Sequence, residues 1–579
     1  MNEMLRKKIL LLLATSVLLY GCSREKKLIL PPGDPDKGGL TVPDGFEVLV
    51  VADSTGAARH MAVAGNGDIF IKLRGGKPKG IVGLRDLTGD GKADSVNYFG
   101  DYPDEGNYGT AMRLHKGYMY FTTAGELWRV KMTTGNLVQS GSFELIVKDD
   151  YKNDAHGYEH IAKPIAFDEE GHVYVPFGSP GDVCQLQNRI PGYPGEFPCS
   201  QLSEHGGVWQ FSDSIPNQTL KDGKRYATGI RSIVAMDWNK QDSSLYVAVH
   251  GRDNLHSTWP ALFNPWQSAV FPSEEFLKVP EGSNSGWPYY YYDQVENKRK
   301  LNPEYGGDGV KEGEGSTMNQ PLLGFPAHWA PNDLLFYTGN QFPDHYKNGA
   351  FIAFHGSTNR APYPQAGYFV GFIPFKDGKP TGQWEVFANG FAGVDPIVNT
   401  SDARYRPMAI AMGPDGSLYL SETEKGKIWR VMFKGDKKNF GKPELDRMEE
   451  QKKLSNVRTP DFVTDNLEKG SVSQGEKIYA TYCLACHQGN GKGSPPRFPP
   501  LEGADWVNGD KQKLIGVILN GLNGPIKVNG KPYDGAMGAH GFLKDDEIAA
   551  VATYIRSAFG NKSSAVSADE VATVRSMKN

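Results

Sequence analysis

A polar turn followed by a strand of alternating apolar and polar residues recurs along most of the chain, between residues 42 and 433. The clearest copies are GNGDIFIKL (65–73), HKGYMYFTTAGELWRV (115–130), DEEGHVYVPFGS (168–179), QDSSLYVAVHG (241–251), NGAFIAFHGS (348–357) and GPDGSLYLSETEKGKIWRV (413–431). Turns that feed period-two strands at long intervals are typical of β-propeller blades. About six copies predict an all-β six-bladed β-propeller over 42–433, with these segments as its inner strands. A β-sandwich followed by other β-domains is the alternative.

The pattern changes after the predicted propeller. Residues 434–467 are dense in lysine, glutamate and aspartate, and they predict a polar linker with one short helix. From 468 to 562 apolar residues recur at helical spacing, as in KDDEIAAVATYIRSAF, which predicts a small all-α domain. The last stretch, 563–579, predicts a surface helix or a frayed tail.

The helical domain contains the segment TYCLACHQGNGKG, in which Cys483, Cys486 and His487 form C-x-x-C-H. This motif indicates covalent c-type haem attachment, with the two thiols on the haem vinyl groups and the imidazole on the iron. Zinc would need two more soft ligands nearby, and none follow in the sequence. Met537 is the predicted second iron ligand, because a thioether opposite histidine gives an electron-transfer haem of raised potential. His540 is the alternative ligand.

This part of the chain resembles class I cytochrome c domains over roughly residues 468 to 560. The resemblance rests on GEKIYATYCLACHQGNGKG, on FPPLEG, and on the Met537 loop followed by a helix. One departure is Gly538, where many relatives have proline after the ligand methionine. The resemblance implies an electron carrier with haem c.

The N-terminal segment MNEMLRKKILLLLATSVLLYGCSREKK has a basic start and an apolar stretch over residues 9–19. It indicates a secretory signal, since the apolar stretch is too short to span a membrane. The segment ends in a sequence that resembles a bacterial lipobox, so residues 1–21 are the predicted signal peptide and Cys22 the lipidated first residue. An ordinary cleaved signal with an incidental cysteine is the alternative. Residues 22–41 predict a flexible tether, and we expect a periplasmic protein anchored to the membrane by lipid alone.

The cysteine count predicts one disulfide, and the charge and the missing motifs argue against two classes of ligand. Once lipid and haem have taken three cysteines, Cys184 and Cys199 remain, and a disulfide between them is expected in an oxidising compartment. The net charge of −4 argues against a nucleic-acid partner. No G-x-G-x-x-G opens a βα unit and no P-loop is present, so a nicotinamide site is not expected.

Residues 42 to 433 resemble the soluble glucose/sorbosone dehydrogenase family, six-bladed propellers that bind pyrroloquinoline quinone (PQQ) with calcium. The resemblance implies a dehydrogenase that oxidises a small-molecule sugar or another alcohol or aldehyde, with electrons leaving through the haem to a periplasmic acceptor. The features that carry the resemblance, in family order, are His160, Arg231 in YATGIRSIVAMDWN, HGRDNL (250–255), GSNSGWPYY, Asn359 and Arg360 in HGSTNR, and Arg404 and Arg406 in ARYRPMAIAMGPDGSLYLSE.

The resemblance implies that His160 is the base that removes the hydroxyl proton of the substrate. Imidazole suits this role because it titrates near neutrality. His156 is the internal competitor. In the glucose-oxidising members an acidic residue orients the base, but here Ser179 stands at that place, with Asp182 close by. The chain therefore resembles the sorbosone-type branch more than the glucose type.

Four arginines are expected to act on the cofactor. Arg231 would stabilise negative charge on the reduced quinone. Arg404 and Arg406 would point to one side of a strand and pair with PQQ carboxylates, since residues two apart share a face. Arg360 is a further anion-binding candidate.

Calcium is expected at two places. The resemblance implies backbone carbonyls of Gly251 and Arg252 as ligands. Separately, Asp86, Asp90 and Asp94 are spaced like the oxygens of a calcium loop, with a plain Asp/Gly turn as the alternative.

Two other functions compete with the dehydrogenase. A propeller that binds a glycan or protein without catalysis, fused to a cytochrome, is the main alternative, because propellers host many functions. A calcium-dependent hydrolase is the other, but the haem would have no purpose there.

Overall fold

The computed structural model describes residues 30–74, 80–100, 102, 110–150, 158–461 and 473–577. The predicted signal peptide, Cys22 and His156 lie outside the described residues. Within these ranges six sheets of four or five strands form the predicted six-bladed propeller, and a small helical domain follows it.

The blades follow one another along the chain. Blades 1 and 2 contain Ala58–Val63, Ile69–Leu73, Ile81–Arg85 and Ser95–Phe99, then Met112–His115, Tyr118–Thr122, Glu126–Lys131, Phe143–Lys148 and the added Gln218–Thr219. Blades 3 and 4 contain Ala166–Phe167, His172–Phe177, Gly207–Ser212 and Lys224–Thr228, then Ile233–Asn239, Ser244–Val249, Glu274–Val279 and Leu323–Phe325. Blades 5 and 6 contain Pro331–Phe336, Ala350–Phe354, Phe369–Ile373 and Glu385–Ala388, then Pro407–Met412, Leu418–Glu422, Ile428–Phe433 and Phe46–Ala52.

The ring is closed by strands from its two ends. Phe46–Ala52 pairs antiparallel with Ile428–Phe433, so the first strand of the propeller completes its last blade. Phe46 is buried at this joint, with its ring 4.9 Å from that of Phe433 and 4.8 Å from that of Phe342. Such closure leaves short, protected sheet edges.

The turn-and-strand repeat marks the second strand of each blade. Ile69–Leu73 and Ala350–Phe354, for example, each lie second in a four-stranded sheet. The prediction that these segments are the inner strands is therefore wrong. The first strands pack against those of neighbouring blades around the centre. The repeat is clearest in the second strands because each is buried between two neighbours and follows a tight turn.

Part of the predicted tether is packed on the propeller. The Asp34 backbone amide donates to the Val48 carbonyl, and Trp429 Nε1 donates to the Gly38 carbonyl. Gly38 has φ 60°, and a Cβ there would lie 2.8 Å from the Trp429 ring. The tether prediction is therefore wrong for residues 34–40, because hydrogen bonds fix this stretch to blade 6.

The linker carries the one helix predicted for it, Lys442–Glu449, followed by the 3₁₀ turn Glu450–Lys453. Met448 and Val457 are buried in the same hydrophobic cluster as Trp329 of the propeller. The described part of the linker thus lies against blade 5.

The C-terminal domain is a helical bundle with one hairpin. Its elements are Gln474–Tyr482, Leu484–His487, Asp505–Asn508, Lys511–Asn520, the strands Ile526–Val528 and Lys531–Tyr533, Asp545–Ser557 and Ala568–Ser576. The last helix packs on the domain through the buried Val571 and the ion pair between Arg575 and Asp545, so the C-terminal stretch is a docked helix.

Short elements complete the described ranges. They are the helices Leu255–Thr258 and Pro265–Val270, the hairpins Tyr290–Asp293/Lys298–Leu301 and Phe375–Lys376/Lys379–Pro380, and the 3₁₀ turns Lys37–Gly39, Ser200–Ser203, Leu220–Asp222, Pro303–Tyr305, Gly315–Thr317, Asp344–Tyr346 and Thr400–Asp402. Among the described helices, none combines the length and the apolar character that crossing a bilayer requires.

Replacing Phe46 by alanine should lower the free energy of unfolding of the propeller by about 3–5 kcal/mol, because it leaves a cavity where the ring closes. Leu87→Ala is the control, since Leu87 is 68% exposed and should change stability by less than about 0.5 kcal/mol. Denaturant unfolding followed by tryptophan fluorescence measures both. Equal midpoints for the two variants would contradict this account of the closure.

Candidate functional site

A cavity of about 410 Å³ lies between the two domains. The helical domain contributes Cys483, Cys486 and His487, together with apolar side chains such as Leu514 and Ile518. Two thiols and an imidazole at one wall of an apolar cavity fit a covalently held haem. The cavity also has walls from the propeller, so the predicted haem site lies at the domain interface.

The ring of His487 is oriented by a backbone carbonyl. Its Nδ1 lies 3.0 Å from the Pro499 carbonyl oxygen, to which it donates. The second nitrogen, Nε2, is then the unprotonated one and has the lone pair that an iron ligand needs. The FPPLEG stretch named in the sequence thus supplies the group that orients the predicted ligand.

Met537 and His540 both line the cavity. The Met537 backbone exchanges two hydrogen bonds with Leu522, of 2.9 and 3.0 Å, which fix the loop. The next residue, Gly538, approaches the propeller so closely that a Cβ would lie 3.3 Å from the Arg189 carbonyl oxygen. At this distance a side chain at position 538 would press on the Arg189 carbonyl, so the contact favours glycine there.

The propeller wall of the cavity carries an ion pair. Arg189 Nη2 lies 2.9 Å from Glu159 Oε2, and both residues line the cavity. Burial alone would raise the pKa of Glu159, but the charge of Arg189 brings it below its usual value. Arg189 belongs to the loop that the disulfide between Cys184 and Cys199 closes, as predicted.

Arg189 also faces a buried cluster of carboxylates inside the propeller. Its guanidinium lies 3.9 Å from Asp182 and 3.6 Å from Asp253. Arg231 lies on the other side of the cluster, with Nη2 2.6 Å from Asp182 and 3.5 Å from Asp253. Burial alone would raise the pKa of Asp253. The pKa nevertheless lies well below its usual value, because His328, Arg231 and Arg189 stabilise the carboxylate anion. We call these four residues, Asp182, Asp253, Arg189 and Arg231, the acid–arginine cluster.

The cluster is held in place from behind. Trp287 Nε1, from the GSNSGWPYY segment, donates to the Asp182 carbonyl at 2.9 Å, and its ring packs on the disulfide. In the described part of the chain, Asp182 Oδ2 and Arg231 Nε are buried without a hydrogen-bond partner. Buried polar atoms without partners are uncommon and mark places where a ligand or water completes the bonding.

His160 lies beside Arg231, joined to it through one residue. The Ser179 amide donates to the Arg231 carbonyl at 2.8 Å, and the Ser179 carbonyl accepts from His160 Nδ1 at 2.8 Å. Ser179 therefore orients the imidazole, whereas Asp182 pairs with Arg231 and does not replace the missing acidic residue. Burial, together with the Arg231 charge, lowers the pKa of His160 to about 3, so the ring is neutral. A Cβ at Gly178 would lie 2.3 Å from the His160 carbonyl oxygen, so glycine is required there.

Positive charge converges on His355, which the sequence analysis did not select. Burial and the charges of Arg406, Arg59 and Arg74 hold its pKa well below the usual value. Arg406 Nη2 lies 3.0 Å from His355 Nδ1 and donates to the Gly356 carbonyl at 2.7 Å. Arg406 contacts the neutral imidazole, and the charges of Arg59 and Arg74 act on it too, so this basic site is suited to an anion with several carboxylates.

The other two predicted anion-binding arginines lie elsewhere. Arg404 and Arg406 precede the strand Pro407–Met412, so the prediction that they share one face of a strand is wrong. Arg404 is exposed and lies over the Tyr405 ring. Arg360 is buried, and its Nε donates to the Ala269 carbonyl at 3.2 Å.

At both predicted calcium positions the structure shows hydrogen bonds and ion pairs within the protein. The Gly251 carbonyl accepts from Arg231 Nη1 at 2.8 Å, and the side chain of the next residue, Arg252, pairs with Glu304 at 2.6 Å. In the 86–94 loop, the Asp86 and Asp94 carboxylates accept hydrogen bonds from backbone amides of the loop itself. This bonding is that of the alternative, an Asp/Gly turn.

Several residues that the structure brings to these sites, among them Arg59, Arg74 and Arg189, were missed from the sequence. Arg59 lies in a strand with no motif around it, and Arg189 lies in a loop that was noticed only for its cysteines. The quoted segment HGSTNR already contained His355, but its role depends on arginines distant in sequence.

Met537→Leu should lower the midpoint potential of the haem, because a haem with a thioether ligand has a higher potential than one without that ligand. His540→Leu is the matched control and should leave the potential near that of the unmodified protein. A spectroelectrochemical titration of each haem-loaded chain measures the shift. A fall in the His540 variant alone would identify His540 as the ligand.

Comparisons with known proteins agree with this two-part architecture. Residues 40–434 match the TrAA12-like family, and residues 472–559 match the cytochrome c family. Cytochrome c-552 of Thermus thermophilus is 47% identical over 93 residues, covering 15% of this chain and 70% of that protein. Among the relatives matched by sequence, the chain spans from 22% to 70% of the other protein's length.

Two solved structures share the propeller fold at low identity. The holo form of the pyranose dehydrogenase PQQ domain from Coprinopsis cinerea has a TM-score of 0.54 and 16% identity, covering 70% of this chain and 98% of that one. The calcium structure of the Trichoderma reesei family AA12 enzyme has a TM-score of 0.55 and 16% identity, covering 71% and 99%. Because the family match covers more than half of the chain, this protein belongs to the TrAA12-like family, with a cytochrome c domain after its propeller.

Proposed function

We propose that this chain is a quinohaemoprotein dehydrogenase, which oxidises a sugar or another alcohol or aldehyde in its propeller and passes the electrons to haem c in the same chain. The observation that carries the proposal is that one residue, Arg189, borders both the haem cavity and the acid–arginine cluster of the propeller. Arg189 lines the haem cavity and also faces Asp182 and Asp253, which pair with Arg231. A redox site in the propeller would therefore lie next to the haem.

PQQ is the proposed cofactor of the propeller, since the Coprinopsis cinerea relative is a PQQ domain. When bound, PQQ supplies an electrophilic carbonyl that accepts hydride from the carbon bearing the hydroxyl. Arg406, Arg59 and Arg74 would hold its three carboxylates by charge-assisted hydrogen bonds. Arg231 Nε, which has no hydrogen-bond partner among the residues that the structure describes, is suited to an oxygen that gains negative charge.

His160 would take the proton from the substrate hydroxyl. Its Nδ1 donates to Ser179, so the lone pair is on Nε2, and the low pKa keeps the ring neutral. Because Ser179 already fixes the tautomer and orientation of the His160 ring, no free energy is spent on reorienting the base when the substrate binds. The neighbouring Arg231 also disfavours a second positive charge, so the proton would need to leave His160 promptly.

Calcium belongs to the proposal through the Trichoderma reesei relative, whose structure was described with calcium. Gly251 remains one proposed ligand, although its carbonyl also accepts from Arg231. No proton or electron step is assigned to the ion.

The substrate class and the location are also proposals. A sugar is favoured by the names of the two propeller relatives, a pyranose dehydrogenase and a carbohydrate-active enzyme. Periplasmic location with a lipid on Cys22 is proposed from the N-terminal segment, and a periplasmic protein would then accept the electrons.

The test uses the haem-loaded chain with added PQQ and Ca²⁺ and a panel of sugars, sugar alcohols and aldehydes. We expect one class to reduce the haem, seen in its absorption bands, and only when PQQ is present. His160→Ala should abolish this reduction while leaving chemical reduction of the haem by dithionite intact. Haem that stays oxidised with every substrate, despite bound PQQ, would favour a binding module.

The pH dependence of the oxidation should be unusual for a histidine base. Because the pKa of His160 falls from 6.5 to about 3, the base stays unprotonated as pH decreases through 6.5. We expect kcat/KM to lack an acidic limb near 6.5 and to fall only as pH approaches the lowered value. Initial rates of haem reduction across a pH series measure this, and a limb centred near 6.5 would contradict the assignment.

A further inference from the structure

The residue after the predicted iron ligand reaches into the propeller. Gln488 follows His487 and is only 1% exposed. Its side-chain Nε2 donates to the Thr358 carbonyl at 2.9 Å, and its Oε1 lies 3.4 Å from Gln365 Nε2. Both Thr358 and Gln365 belong to the propeller. A buried amide thus joins the haem-binding motif directly to the other domain.

The backbone of Gln488 adopts a conformation that glycine tolerates much better. Its φ is 64° and its ψ is 161°, a region where a side chain is strained. The surrounding domain holds it there, since Tyr479 Oη donates to the Gln488 carbonyl at 2.6 Å. A glutamine at a position that suits glycine indicates that its side chain has a role, and the side chain bonds to the propeller.

From Thr358 the connection continues to the acid–arginine cluster. The next residue, Asn359, donates from Nδ2 to Asp253 Oδ1 at 2.7 Å. Asp253 lies 3.5 Å from Arg231. The route from His487 to Asp253 therefore follows covalent bonds interrupted by two hydrogen bonds, with no gap through space.

We propose that Gln488 is the electronic bridge between the domains, positioned so that electrons leaving the propeller site reach the haem through Asn359, Thr358 and the peptide bond to His487. This proposal rests on the function proposed above. The bridge carries electrons one at a time to the iron. The two protons released by the oxidation pass from the propeller site to solvent, because the amide groups of the bridge do not carry protons.

A second contact across the same interface provides a matched control. Thr400 Oγ1 lies 3.1 Å from Ser494 Oγ. Thr400 begins a 3₁₀ turn, and among the described residues it has no hydrogen bond to the acid–arginine cluster. Ser494→Ala therefore removes a docking contact without touching the bridge, whereas Gln488→Met removes the bridging donor at similar side-chain size.

The experiment compares the full haem-loaded chain with the variants Q488M and S494A. In the PQQ-free proteins, haem potentials are titrated, and hydrogen exchange is measured at residues 357–360. With PQQ and the best substrate of the wild type, the rate constant of haem reduction is then measured in a single turnover. We expect Q488M alone to show faster exchange at 357–360 and slower haem reduction, with the haem potential unchanged in both variants.

Three results would overturn the bridge. Haem reduction as fast in Q488M as in the wild type is one, and equal slowing in Q488M and S494A, which indicates docking alone, is another. Unchanged exchange at 357–360 in Q488M would show that the hydrogen bond to Thr358 does not form. If the wild type itself fails to reduce its haem with any substrate, the proposed function fails and the bridge with it. If the wild type succeeds, only the bridge is in question.

Discussion

The structure depends on one buried set of charges, the acid–arginine cluster, which lies between the proposed oxidation site of the propeller and the haem cavity. Removing paired ions from water is costly, so such a cluster persists only when each charge has a close counter-charge. Here two carboxylates, Asp182 and Asp253, each face both Arg189 and Arg231. The cluster connects the region of the predicted base, through Arg231, to the haem cavity, through Arg189.

The covalent and packing constraints around the cluster have one common effect, which is to fix Arg189. The disulfide between Cys184 and Cys199 closes its loop, and Trp287 packs on that disulfide while donating to Asp182. On the far side, Gly538 leaves room for the Arg189 carbonyl. The departure from the cytochrome c pattern at Gly538 thus falls at a contact with the propeller.

Much of the fold was predictable because it depends on local patterns. Period-two strands after polar turns revealed the propeller, and C-x-x-C-H revealed the haem site without any three-dimensional knowledge. The site in the propeller was less predictable, since its members come together only through blade packing. Arg404 and Arg406 differ by two positions, yet one is exposed and the other faces His355, because they precede the strand instead of lying in it. Residue spacing predicts a shared face only within a regular element.

The central claim is that oxidation in the propeller and reduction of the haem occur within one molecule. It is tested most directly by the rate constant of haem reduction after rapid mixing of the PQQ-loaded chain with saturating substrate, at several protein concentrations. Transfer across the interface described here predicts a first-order rate constant that does not change with protein concentration. A rate constant that rises in proportion to protein concentration would show that electrons pass between molecules and would contradict the account.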